Sequence, residues 1–555
     1  MSNPKTRLLI LIAALVQCSG THTHAGDAAK ASTPAAGPSA AGVPQSAGGT
    51  TDPVLNLLLE KGMITEDEAA KTQAQADALR TNMAALYATE NSKWKFAPSI
   101  KDIELYGDLR ARYEGRREYT PAGGRINQDR FRYSVRLGLR GDVFDDFYYG
   151  VRMETSANPR STWVTMSASS PDPYGKSAAG INIGQVYLGW QPESWLDLTV
   201  GKMPNPLYTS SMLWSSSINP EGLSERLKYT IGDLDVFVNM AQFLYQDENP
   251  DNATRGLFGS GQNAGSLLGQ TADNIVQVAW GGGMNYRVTK DLSAKAGVNL
   301  YKYYGMRKST ANQAVSPYFG DVYVGEGAYL GGKSPFPYNG YSGFGGSGIL
   351  PGYQSANYPN NQVGLDYLTV LEIPFEINYH LKHVDLRAFG DIAYNLQGAQ
   401  RARAAAAGYA AYLKYQAGPP NNYTVSVKPF SPQTHDYKAY QFGFEVADKG
   451  CLGMVNGSTA KRFGWDAKTY WQHIEQYSLD PNLLDLDMFA GAENLEGIYG
   501  AIAFGLSDNF IATVRYGYAS RINHKLGTGG TGTDIPQINP INYYNLFQFD
   551  LTYKF

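Results

Sequence analysis

The sequence predicts an all-β fold, a transmembrane antiparallel β-barrel of about 16 strands behind a short N-terminal periplasmic helical or coiled-coil segment. Three observations predict it. From about residue 101 onward apolar and polar residues alternate with period two, the mark of strands with two different faces. The connections between those strands are alternately short and long along the chain. The 555 residues include 61 Gly, 40 Tyr, 22 Phe and 8 Trp, yet mean hydropathy is only −0.34. A barrel reconciles turns and interface anchors with a polar average, because its lipid-facing and lumen-facing residues cancel.

Composition excludes several classes. Lys+Arg 47 against Asp+Glu 50 gives a net charge of −3, so there is no basic excess to hold nucleic acid. Two cysteines make neither a disulfide scaffold nor a thiolate metal cage. No apolar run after residue 17 approaches the ~20 residues of a membrane-spanning helix, which excludes a multi-span helical protein.

Residues 1–25 read as a signal peptide. Lys5 and Arg7 precede the apolar run Leu8–Val16, and Thr23 and Ala25 supply small residues for cleavage before Gly26. The alternative makes Cys18 a lipidated cysteine, for which Gln17 is a poor preceding residue. Residues 26–51 are Ala/Gly/Ser/Pro-rich and hold too little apolar surface to offset ordering, so they form a disordered linker. Residues 52–90 form the helical segment. Asp52–Pro53 opens a first helix, and Gly62 suits its left-handed stop. Thr65 with Glu68 gives a capping box for the second. Ala69, Thr72, Ala76, Leu79, Met83 and Leu86 then fall at spacings of three and four. That seam is either a coiled-coil trimerisation stalk or a helix packed on its own chain.

The barrel occupies 101–555. Ile103, Leu105, Leu109 and Tyr113 oppose Glu104, Asp108, Arg110 and Arg112. Phe131, Tyr133, Val135, Leu137 and Leu139 oppose Arg130, Arg132, Ser134, Arg136 and Arg140. Sixteen segments follow this rule: 103–116, 129–142, 146–156, 181–191, 195–203, 222–231, 234–246, 273–288, 291–303, 366–380, 383–396, 437–447, 462–476, 495–506, 509–521 and 545–555. Short turns join them on one side and long loops on the other, as in a bacterial outer-membrane barrel. One turn, 448–461, is longer than the rest. A β-sandwich or propeller would need neither this alternation nor aromatics at strand ends such as Tyr113, Tyr149, Trp190, Tyr379, Trp471, Tyr516 and Tyr518. The last strand ends on Phe555, which resembles the signal that outer-membrane barrels present to their assembly machinery.

Lipid excludes charge, so the charged faces point inward. Pore-lining candidates on the first six strands are Arg110, Arg112, Arg130, Arg132, Arg136, Arg140, Arg152, Lys202, Arg226 and Lys228. Lys202 is out of phase with Asp197 and is the weakest of them. The later strands contribute Glu372, Glu376, Asp385 and Asp391, making an acidic wall across from a basic one. Such rows guide anionic groups or neutralise each other and support the wall. Something must narrow so wide a barrel, and 204–221 is the candidate, folding inward or lying outside as an ordinary loop. Residues 304–365, rich in Gly and Tyr, form an external lid or a binding surface.

Leu58–Ala70 followed by a barrel, and Gly201–Gly222 (GKMPNPLYTSSMLWSSSINPEG), resemble the bacterial "putative porin" family over roughly 52–555, and more distantly the phosphate-selective porins. The resemblance implies passive diffusion of small hydrophilic solutes or ions across an outer membrane. Its partners would be outer-membrane lipid, such solutes and two further copies in a homotrimer. A receptor or adhesin barrel with long binding loops is the alternative. An enzyme is less favoured: the histidines (His22, His24, His380, His383, His435, His473 and His524) stand in no catalytic constellation, and no cofactor motif is present. His380 and His383 flank a turn, more in the manner of structural histidines than of metal ligands. Asp480, Asp485 and Asp487 lack the Gly and Glu of a calcium loop and read as solvated loop acids.

Overall fold

A computed structural model describes residues 61–75 in part, 100–119, 125–156 except 145, 161–166, 180–246, 275–304, 367–403, 435–480, 483–485, 487–488, 493–523 and 542–555. The signal, the linker, the first helix and most of the proposed seam lie outside these, as does the 304–365 lid beyond Tyr304. Residues up to Lys95 and from Phe96 onward are separate units. In the first, a helix over 67–75 begins as the sequence predicts. The Thr65 amide donates to Glu68 Oε2 at 2.9 Å and the Glu68 amide to Thr65 Oγ1 at 3.4 Å. The Thr65 amide, and its hydroxyl donating to the same oxygen at 3.0 Å, hold the Glu68 carboxyl below its ordinary range.

Among the described residues the second unit contains seventeen strands. Strands β1 (Glu104–Tyr119), β2 (Arg125–Asp142) and β3 (Phe147–Ser156) begin the barrel. β4 is the two-residue strand Val164–Thr165, bonded to β2. β5 (Gly180–Glu193), β6 (Leu196–Lys202), β7 (Glu221–Ile231), β8 (Leu234–Gln246), β9 (Ile275–Arg287) and β10 (Leu292–Tyr304) follow. β11 (Thr369–His380), β12 (Val384–Asn395), β13 (Lys438–Asp448), β14 (Trp465–Ile474), β15 (Leu495–Gly505), β16 (Phe510–Arg521) and β17 (Tyr543–Lys554) complete it. Apart from β4, every strand pairs antiparallel with its neighbours in sequence. β17 returns to β1 in register from Asp108↔Lys554 to Tyr119↔Tyr543, and the Gly107 amide donates to the Phe555 carbonyl at 3.0 Å. Closure leaves no free edge, the condition for a sheet in lipid. The sixteen barrel strands coincide with the sixteen alternating segments.

The faces fall as the alternation requires. Leu105, Phe131, Leu139, Ile183, Phe444, Ile498 and Ile502 are exposed on the outer surface, while Arg112, Glu114, Arg132 and Glu372 are buried on the inner one. In an aqueous protein this would be inside out. Exposed aromatics stand near the strand ends, among them Trp195, Tyr229, Tyr286, Trp465, Tyr553 and Phe555 toward the short turns and Tyr119, Tyr304 and Tyr543 toward the long connections. Such rings anchor a barrel at the two interfaces.

Candidate functional site

The basic ladder is present on the inner wall of β1–β3, but carboxylates interleave it. Asp108 takes Arg110 at 2.7 Å and Arg136 at 2.5 Å. Glu104 takes Arg140 at 2.6 Å and Glu154 takes Arg152 at 3.0 Å. Glu114, fully buried, receives Arg130, Arg132, Arg112 and Arg116 together with the Gln548 amide. Arg112 also forks onto Asp550 at 2.7 and 2.9 Å. Buried charges need such partners. Lys202 stands elsewhere: it shares a face with outward Val186 and with Glu221 in the register, and its ammonium reaches Glu221 at 2.5 Å. Five positions separate it from inward Asp197, and an odd separation puts it on the outer face.

The acidic candidates hold structure together. The Thr209 hydroxyl donates to Glu372 at 2.5 Å and the Ser210 hydroxyl to Asp391 at 2.5 Å. Asn299 and the Tyr301 hydroxyl also donate to Glu372, each at 2.7 Å. Glu376 pairs with Arg387 at 2.6 Å. Asp385 receives His380 at 2.8 Å, Lys449 at 2.9 Å and the Gly450 amide at 2.7 Å near the short-turn end.

Thr209 and Ser210 belong to residues 203–220, which therefore fold inward and cross from β6 to β11 and β12. The sequence makes an external course costly: Met203, Leu207, Met212, Leu213 and Trp214 would lie in water, whereas all are buried here. Trp214 packs against Phe243 and Tyr301 with ring centroids 6.0 and 6.5 Å apart. A side chain at Gly297 would come within 3.0 Å of the Tyr208 ring, so the glycine leaves room for the tip of the segment.

Two further insertions went unrecognised in the sequence. The β14–β15 connection enters from the long-loop side. Tyr245 and Tyr303 both donate to Asp480 at 2.7 Å, Arg112 reaches Asp487 at 2.8 Å, and the Ser215 amide donates to the Leu483 carbonyl at 2.6 Å. Of these aspartates Asp480 is a buried anchor rather than a solvated loop acid, whereas Asp487 binds Arg112 from the cavity wall that it shares with Asp485, and the described residues contain no cluster of metal-ligand type. Burial, reinforced by Asp487, pushes the Asp485 carboxyl up to about 6. Burial pushes the Asp487 carboxyl up, but the Arg112 charge and hydrogen bond together with Arg515 hold it below its ordinary range. From the other end comes the β13–β14 turn, whose unusual length now has a cause. Its one-turn helix Met454–Asn456 is held by inner-wall groups: Asp466 accepts the Val455 amide at 2.9 Å, and Arg515 donates to the Val455 carbonyl at 2.8 Å.

These insertions leave a cavity of about 600 Å³ within the barrel, with Arg110, Arg152, Arg387, Lys468, Arg515 and Tyr208 on its wall. A closed sixteen-stranded antiparallel barrel, apolar outside and charged inside, with its lumen narrowed by inward segments, defines an outer-membrane channel barrel. The chain belongs to the family described as "Putative porin", whose model matches residues 121–555; it is an outer-membrane porin.

Among solved structures it is similar to OmpT of Vibrio cholerae in its trimer form (10% identity, TM-score 0.34, covering 82% of this chain and 99% of that one). It is also similar to the channel DcaP of Acinetobacter baumannii (10%, 0.37, 83% and 99%) and to Salmonella typhi OmpF (9%, 0.38, 83% and 100%). At these scores the fold rests on the strand pairing itself. No curated protein matches the chain.

Proposed function

We propose that the porin passes small hydrophilic solutes by passive diffusion with a preference for anions. One observation carries this. The wall of the 600 Å³ cavity presents Arg110, Arg112, Arg152, Arg387, Lys468 and Arg515 against only Asp485 and Asp487. The carboxylates that balance these cations, Asp108, Glu154, Glu376, Glu445 and Asp550, are paired with them but are absent from the cavity wall. A solute meets guanidinium and ammonium groups first, and such a wall favours carboxylate or phosphate oxygens. Arg130, Arg132 and Arg136, folded into carboxylates, act as a fence and not as the filter.

The test is the reversal potential of the refolded protein in a planar bilayer under a salt gradient. Wild type should prefer the anion. Arg110→Gln, Arg152→Gln and Lys468→Gln together should move the potential toward cation preference, whereas Arg130→Gln should barely move it. The reverse ranking would place the filter in the ladder. The assembly we propose is a homotrimer with the 52–90 segment as its stalk, a reading supported by the seam spacing.

A further inference from the structure

We infer that the lumen holds a second solute site, nearer the short-turn end, which takes a small oxyanion-bearing solute that also carries a hydroxyl or ammonium donor. The inference rests on the lumen being the solute path. A cavity of about 440 Å³ is lined there by Arg226 and Lys228 of β7, Lys295 of β10, Tyr208 from the tip of the inward segment, Phe237 and Asn239. Its size lies in the range of small-molecule pockets.

What sets this site apart is cationic charge without direct ion pairs. Every ladder arginine of β1–β3 has a carboxylate partner, but among the described residues none of Arg226, Lys228 and Lys295 has a carboxylate oxygen within 4.0 Å. The two acids on the same wall, Asp235 and Glu376, are engaged elsewhere. Glu376 pairs with Arg387 at 2.6 Å, and Asp235 accepts the Thr230 hydroxyl at 2.7 Å and approaches Arg287 at 3.5 Å. Three cations thus share a wall with two acids, neither of which is ion-paired with any of them. Arg and Lys in that arrangement select carboxylate or phosphate oxygens.

Two further groups shape the ligand. Asn239 is 2% exposed and donates its amide to the Pro206 carbonyl at 3.1 Å, while its Oδ1 has no partner. An unsatisfied buried acceptor on the wall of a solute cavity is met by a donor on the solute. Tyr208 stands edge to face with Phe237, centroids 6.2 Å apart, and the Lys295 ammonium lies 3.8 Å from the centre of its ring. Tyr208 and Leu207 line both cavities, so the tip of the inward segment is the partition a solute passes between one site and the next.

The experiment uses the full-length protein in planar bilayers with gluconate, glucose 6-phosphate and neutral glucose as probes. The two anions should interrupt the ion current and glucose should not; interruption by one anion alone identifies the preferred oxyanion. In Arg226→Gln/Lys228→Gln/Lys295→Gln the interruptions should shorten by about ten-fold or more, while the salt-gradient reversal potential retains its sign. Lys295→Gln alone serves if the triple variant fails to assemble. Interruptions of unchanged length in the variants, or equal interruption by glucose, overturn the site.

If wild type conducts nothing, equilibrium binding of radiolabelled gluconate and glucose 6-phosphate to the detergent-solubilised protein separates the two readings. Binding that the variants lose keeps the site and sinks the channel. No binding by wild type sinks the site.

Discussion

Leu137 and Arg136 are neighbours in the chain and lie in different solvents. Leu137 is 37% exposed on the outer face, while Arg136 reaches Asp108 inside at 2.5 Å. Leu137→Arg places a guanidinium in hydrocarbon at about 2–4 kcal/mol near the midplane, and it should block assembly as read by heat-modifiable migration on gels. Arg136→Leu should fold, because Asp108 keeps Arg110 at 2.7 Å; equal tolerance of the two would contradict the register. Asp485 carries the pH dependence at this scale. With its carboxyl near pKa 6, it is mostly ionised at pH 7 and takes up a proton as pH falls toward 5. The cavity wall then loses one negative charge, so anion preference should rise across that window in reversal-potential measurements. In Asp485→Asn the preference should already be high at pH 7 and the pH step should shrink.

Among the elements, the inward segment 203–220 is tied to the wall at several points, one of them a buried carboxylate that also gathers donors from β10. Glu372 accepts Thr209, Asn299 and Tyr301, so Glu372→Ala strands donors at about 1–3 kcal/mol each. Single-channel conductance should increase as the segment loosens, and the thermal midpoint should fall. An unchanged conductance with a lowered midpoint would mean that the segment does not set the constriction. The β13–β14 turn offers a parallel case from the opposite mouth. Arg515 binds both Asp550 and the Val455 carbonyl, tying that insertion to the wall beside β1.

For the whole molecule, closure by β17 onto β1 makes the last strand a condition of the fold, and the twelve-residue register to Tyr543 leaves no edge for a foreign strand. Oligomeric state belongs to this scale too. Deleting 52–90 should convert trimers to monomers on seminative gels while leaving heat-modifiable barrels, and trimers that persist would transfer the contact to the barrel wall.

The sixteen strands were legible because alternation is a local property: each residue's face is set by its immediate neighbours, and lipid on one side sharpens the contrast. The capping box at Thr65 and Glu68 was legible for the same reason. The charges of the lumen could also be counted in the sequence, and Lys202 could be doubted from its phase alone. Their pairing could not, since Arg112 meets Asp550 and Asp487 across hundreds of residues. Nor could the path of 203–220, whose Thr209 and Ser210 find acceptors on β11 and β12. The sequence by itself determined a barrel, its strand count and which face is wet. Tertiary structure alone decided which cations are neutralised and which face the solute, because pairing depends on which strands closure brings across the lumen.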